Sequence, residues 1–288
     1  MIFSSDTAKS NAHRLGMHLA GVGSFITYRS YKLAGRLIVW KAREQRKGLL
    51  RAARALEHLP APLWQTRRYN QAMCSTFAVG SLLFIVGSAL SLWQNPSSTL
   101  TTWTNLIFFF GSIPFTLAAY MQHFQAANAS RFTLDPSEHP THMPMRFLGW
   151  QPHDLGWLST LTQFLGTLAF NVSTLGAVQI TAPWSLLDGV VWMPEMLGSA
   201  LFLVSAYLAF IEANHAMWQW HPKDLTWQIV FVNLVGCITF MAAACTAYVP
   251  ATGPITWVVA LSNAQLLVGA TCFLVGALLS IRESRTAD

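Results

Sequence analysis

Seven polar side chains interrupt the long apolar segments of this chain: Asn105, Gln163, Asn171, Glu195, Asn233, Asn263 and Gln265. Gln163, Glu195 and Asn233 each stand three residues before a glycine, and Gln265 stands four before one. A layer of such groups at one depth can line a narrow path for a small solute or ion. The same groups can serve as interhelical hydrogen bonds, worth about 0.6 kcal/mol on average in a bilayer, and the sequence favours this structural role. Glu195 is the sharpest single candidate, because an ionisable group inside an apolar span is costly and points to function. Pro194 precedes it, however, which puts it in a first helical turn where the helix dipole favours a carboxylate. His139-Pro-Thr-His142 has a chelating spacing but lacks Cys or Glu partners. Cys74, Cys237, Cys245 and Cys272 lie in or beside apolar segments and read as packing residues. No metal or other cofactor is expected. No Ser/His/Asp set, paired intramembrane carboxylates or phosphate-binding glycine loop is present, so the sequence points away from an enzyme.

The elements that must carry these residues are membrane-spanning helices. Hydrophobic residues make up 53% of the chain and charged ones 10%, against about a quarter charged in a soluble domain. Apolar segments near the length needed to cross a bilayer fall at about 72–93, 103–124, 155–178, 194–212, 226–248 and 257–281. A soluble bundle would need charged outer faces, which these segments lack. Of the 18 Lys and Arg residues, 13 precede residue 70, and the others are Arg131, Arg146, Lys223, Arg282 and Arg285. Six spans put all of them on one side, so the positive-inside rule predicts both termini in the cytoplasm.

A glycine followed four residues later by a phenylalanine recurs in every span: Gly80/Phe84, Gly111/Phe115, Gly166/Phe170, Gly198/Phe202, Gly236/Phe240 and Gly269/Phe273. Residues at i and i+4 share a helix face, and small residues let helices approach closely in lipid. The pairs therefore read as a packing layer. Trp150-Gln-Pro-His-Asp154-Leu-Gly-Trp157 matches Trp220-His-Pro-Lys-Asp224-Leu-Thr-Trp227 at an offset of seventy residues. Asp154 and Asp224 suit cytoplasmic helix caps. Gln125, Glu212 and Glu283 each follow their glycine by fourteen residues, about 21 Å of helical rise. The expected fold is an all-α membrane protein: six transmembrane helices as three repeated hairpins over 71–125, 150–214 and 220–283, after a basic region at 1–70.

Phe109-Phe-Gly-Ser-Ile-Pro-Phe-Thr116, Gln163-Phe-Leu-Gly-Thr-Leu-Ala-Phe-Asn-Val-Ser-Thr174, Gly198-Ser-Ala-Leu-Phe-Leu-Val204 and Gly269-Ala-Thr-Cys-Phe-Leu-Val-Gly-Ala277 carry a resemblance. Over about 70–283 the chain resembles uncharacterised bacterial membrane proteins related to the YrhK-like two-helix domain. The resemblance implies three copies of that unit in a bacterial inner membrane and supplies no activity.

Residues 28–58 read as one cationic helix, with Arg29, Lys32, Arg36, Lys41, Arg43, Arg46, Lys47, Arg51 and Arg54 against Glu44 and Glu57. Such a helix can lie on anionic lipid headgroups or bind a protein partner, a second copy of the chain included. No nucleic-acid partner is expected. The leading expectation is a structural or regulatory inner-membrane protein. The alternative is a channel or transporter for a small solute or ion, which an open axial cavity would favour and a dry, Phe-filled centre would oppose.

Overall fold

The computed structural model describes residues 17–33, 36–49, 62–93, 97–129, 145–179, 186, 188–248, 253 and 255–286. A three-stranded antiparallel sheet comes first, with β1 at His18–Val22, β2 at Phe25–Leu33 and β3 at Arg36–Lys41. A short helix α1, Ala42–Lys47, follows directly. Then come six long helices: α2 Arg67–Ser91, α3 Ser98–Ala127, α4 Leu155–Gln179, α5 Met193–Asn214, α6 Leu225–Thr246 and α7 Thr256–Thr286. A π-helical turn at Asp188–Trp192 leads into α5.

All six are long and apolar enough to cross a membrane. Their outward faces carry Val79, Leu82, Val86, Leu117, Val204, Val268 and Leu278, each about half exposed. Apolar surface of that extent calls for cover in a stable protein, and the hydrocarbon of a bilayer supplies such cover without any special pairing. The molecule thus has the form of a multi-pass membrane protein.

The helices pack in chain order as a closed ring, α2 against α3 and so on round to α7 against α2. The end carrying Arg67 and Thr286 is termed basal below, and the opposite end apical. At the basal end two corners are built alike. The Trp157 indole donates to the Leu148 carbonyl at 3.0 Å, and the Trp227 indole to that of Gln219 at 2.8 Å. Asp154 accepts from the Trp157 amide at 2.8 Å and Asp224 from the Thr226 amide at 2.8 Å, so both carboxylates cap their helices.

The six phenylalanines of the glycine pairs meet on the ring axis. Centroids of Phe84/Phe115, Phe170/Phe202 and Phe240/Phe273 lie 5.4, 5.0 and 5.0 Å apart. Phe84/Phe240, Phe115/Phe273, Phe170/Phe240 and Phe202/Phe273 link the pairs at 5.9–6.3 Å. Each glycine faces the phenylalanine of its neighbour. A Cβ on Gly80 would meet Phe115, one on Gly111 Phe84, one on Gly166 Phe202, one on Gly198 Phe170, one on Gly236 Phe273 and one on Gly269 Phe240. The space left within the layer is about 10 Å³, at the lower limit for one water. The centre of the ring is therefore dry at this level.

The structure corrects the expectation of a basic helix over 28–58. Phe25–Leu33 and Arg36–Lys41 form strands, with Ser30 opposite Val39 and Tyr28 opposite Lys41. The runs Phe25-Ile-Thr-Tyr28 and Leu37-Ile-Val-Trp40 are β-branched and aromatic, residue types that favour a half-buried pleated surface over a helix. Residues 34, 35 and 50–58 of that segment, like His139 and His142, lie outside the described residues. The sheet is tied to the end of α5: Thr27 Oγ1 lies 2.9 Å from His215 Nδ1, and the Tyr28 ring packs on the imidazole.

The glycine contacts yield a prediction. In Gly198→Ala the new Cβ would sit 2.7 Å from the Phe170 ring, an overpacking worth about 1–3 kcal/mol. Thermal unfolding in detergent should show that loss, and Gly198→Ala/Phe170→Leu should lose less than the sum of the two single changes. Additive losses would show that the two residues do not meet.

Candidate functional site

The basal mouth of the ring is closed by α1. Arg43 donates to both Glu283 oxygens, at 2.6 and 3.1 Å, and the Lys47 ammonium reaches the same carboxylate at 2.5 Å. Arg46 makes a two-pronged pair with Glu212, with Nη2 at 2.8 Å from Oε2 and Nη1 on Oε1. All five side chains are buried. Short α1 stands because Gly48, in the left-handed region at φ 66°, ends it and turns the chain back. The Asn70 side chain then holds the Lys47 carbonyl at 2.8 Å.

The acids sit at matching places in the ring. Fourteen residues after the glycines of α3, α5 and α7 come Gln125, Glu212 and Glu283, and ten before those of α2, α4 and α6 come Asn70, Gly156 and Thr226. Each group of the first set faces one of the second. Gln125 donates to Asn70 at 3.0 Å, and Thr226 donates to Glu283 at 3.1 Å. Beside Glu212 stands Gly156, and the Arg46 guanidinium occupies the space that a Cβ there would take. The first corner is thus neutral and uses amides, while the other two use carboxylates and take up the cations of α1.

Between this charged lid and the phenylalanine layer lies a chamber of about 140 Å³. Phe115, Phe202 and Phe273 form its floor, and Arg43, Arg46 and Lys47 its roof. Gln163 and Asn233 project from the walls, at equivalent positions where α2 carries Phe77. Eleven residues past the glycines of α3, α5 and α7, the wall carries Gln122, Ala209 and Ser280. The packing positions are Gly and Phe in every helix, whereas the chamber positions differ from one helix pair to the next. Packing alone gives no reason for that difference.

The four residues expected to share one polar layer separate into two sets. Gln163 and Asn233 line the chamber, basal to the phenylalanines. Gln265 accepts from Thr246 at 2.9 Å, and Glu195 lies half-buried in the first turn of α5. The physical reason is chain direction. A residue three or four before its glycine is basal on α4 and α6, which run up from the basal end, and apical on α5 and α7, which run down to it. Sequence reasoning placed Arg43, Arg46 and Lys47 in a surface-binding basic segment and Glu212 and Glu283 at matched helix positions, but missed that they pair with one another. The matched spacing of the two acids with Gln125 was the available signal.

Burial, followed by the neighbouring Arg43 charge, holds the Lys47 ammonium below its ordinary pKa. Asp154 is pushed above the ordinary carboxylate range by burial and then by Glu212, against the opposing pull of Arg46. No family model, curated protein or solved structure matches this chain.

Two predictions follow from the lid. Glu283→Gln leaves Arg43 and Lys47 buried without their acid and should cost about 3–5 kcal/mol, the scale for breaking a buried pair. Unfolding in detergent measures it, and a loss below about 1 kcal/mol, the scale of an exposed pair, would place these charges in water. For Asp154, whose folded pKa is raised, folding favours the protonated form. Its contribution is therefore best at low pH and is lost as pH rises from the ordinary Asp range through the raised value. Asn caps helices as well as Asp does, so Asp154→Asn should match or exceed wild-type stability at pH 7 and lose that advantage at pH 4. A variant less stable at pH 7 than at pH 4, relative to wild type, would contradict this.

Proposed function

We propose that this chain is a non-catalytic, regulatory protein of a bacterial inner membrane, built from three copies of one two-helix unit of the YrhK-like kind, with its basal end in the cytoplasm. The three units are α2–α3, α4–α5 and α6–α7. The matched glycine, phenylalanine, cap and mouth positions support the triplication, and the Lys/Arg asymmetry supports the orientation. The observation that carries the function is the seating of Arg43, Arg46 and Lys47 on Glu212 and Glu283. The basic segment acts as a tethered plug in the mouth of a closed ring. Anionic headgroups or an acidic protein surface, a second copy of the chain included, compete with the two glutamates for those cations and draw the plug out. Nucleic acid is not part of this reading.

A second reading, passage of a small solute, draws support from the chamber. It requires the phenylalanine layer to part, and that layer is closely packed, with about 10 Å³ left within it. The plug reading asks only two carboxylates to give up their partners.

Cys74 lines the chamber beneath the plug and is buried. It serves as the reporter in a protein whose Cys237, Cys245 and Cys272 are changed to Ser. In inverted membrane vesicles a charged maleimide should label Cys74 slowly. Labelling should rise about tenfold or more in Glu212→Gln/Glu283→Gln, which removes well over the 1.4 kcal/mol that a factor of ten requires. Equal rates in both proteins, each eluting as a folded species, would overturn the plug.

A further inference from the structure

We infer that the chamber between the charged lid and the phenylalanine layer is a binding site for a small amphipathic organic anion, its apolar body on the phenylalanine floor and its anionic head at Lys47 and Arg46. Size is the first argument. At about 140 Å³ the chamber is close to a cavity of about 150 Å³ that takes up benzene.

Charge is the second argument. Arg43, Arg46 and Lys47 all border the space, but Glu212 is the one acid that does so among the described residues. Glu283 is shared by two cations. Asp154 neighbours Arg46 and Glu212 without bordering the chamber. The lining of the space therefore carries three cations against one carboxylate, and cationic groups facing a buried space favour an anionic occupant.

Unused hydrogen-bonding capacity is the third. Arg46 is 6% exposed, and its Nε has no acceptor among the described residues. Lys47, 8% exposed, has three donors and, among the described residues, one acceptor, Glu283. Gln122 and Gln163 border the chamber with no side-chain hydrogen bond to a described residue, and Asn233 uses its Nδ2 on the Ile229 carbonyl and leaves Oδ1 open. A carboxylate at the roof accepts from Lys47 and Arg46, and the amides of the wall meet whatever polar substituent the body carries. The floor of aromatic rings excludes a strongly hydrated ion such as phosphate. The lowered pKa of Lys47 agrees with this: its ammonium lacks compensation that a bound anion supplies.

The inference rests on the plug reading in one respect, since the segment must leave its glutamates for a ligand to enter. The two fail separately. Labelling of Cys74 reports the plug, and ligand binding reports the chamber.

The test is isothermal calorimetry on the full chain in nanodiscs, with benzoate, hexanoate, benzamide and inorganic phosphate as probes. Benzoate or hexanoate should bind. Benzamide should bind at least about tenfold more weakly, the factor for one lost charge-assisted hydrogen bond, and phosphate should not bind. Lys47→Met, which leaves Arg43 on Glu283, should weaken the anion about tenfold. Ala209→Phe, which fills the chamber without touching its charges, should abolish binding. No binding of either organic anion at millimolar concentration, equal affinity for benzamide, or unchanged binding in Ala209→Phe would each overturn the proposal.

Discussion

A charged group cannot stay unpaired in a medium of low dielectric, and that constraint organises the basal half of this molecule. Glu212 and Glu283 lie at the ends of two long apolar helices, buried from solvent. Left alone, each would carry a desolvation penalty of several kcal/mol. The chain supplies their partners from more than 160 residues away, in a helix of six residues that could not stand by itself in water. The charges thus fix the position of α1, and α1 fixes the roof of the chamber. The sheet, joined directly to α1 and held at His215, follows from the same placement.

The phenylalanine layer answers a different constraint. Helices in lipid gain nothing from excluding water between them, so close packing must hold the ring together. Six glycines give the backbone approach, and six rings fill the axis from alternate sides. The result separates the interior into a dry level and, basal to it, a chamber with polar walls. Identical side chains serve where the three helix pairs must pack alike. Different side chains appear where they face the chamber and the plug.

Much of this was legible in the residues. The spans follow from apolar length, and the caps Asp154 and Asp224 from their place just before a helix. The glycine and phenylalanine spacing also gave a face, although only coordinates show that each glycine meets its neighbour's ring. Two features were misread for physical reasons. Charge suggests one helix over residues 28–58, but in 28–33 and 36–41 the Thr, Tyr, Ile, Val and Trp residues at and beside these runs are the stronger signal, for strands. A single polar layer was expected from equal offsets, but antiparallel helices carry equal offsets to opposite sides of the glycine, separating Glu195 and Gln265 from Gln163 and Asn233. The ion cluster joins segments far apart in sequence, and no local pattern announces such a contact.

The central claim is that Arg46 and Glu212 pair in a buried mouth. A double-mutant cycle on Arg46→Met and Glu212→Leu, followed by thermal unfolding in detergent, tests it directly. Each single change strands one buried charge and should be strongly destabilising, while the double change removes both and should regain most of the loss, giving a coupling of roughly 2–3 kcal/mol. Losses that simply add, with the double variant the least stable of the three, would contradict the pairing and with it the seating of the basic segment.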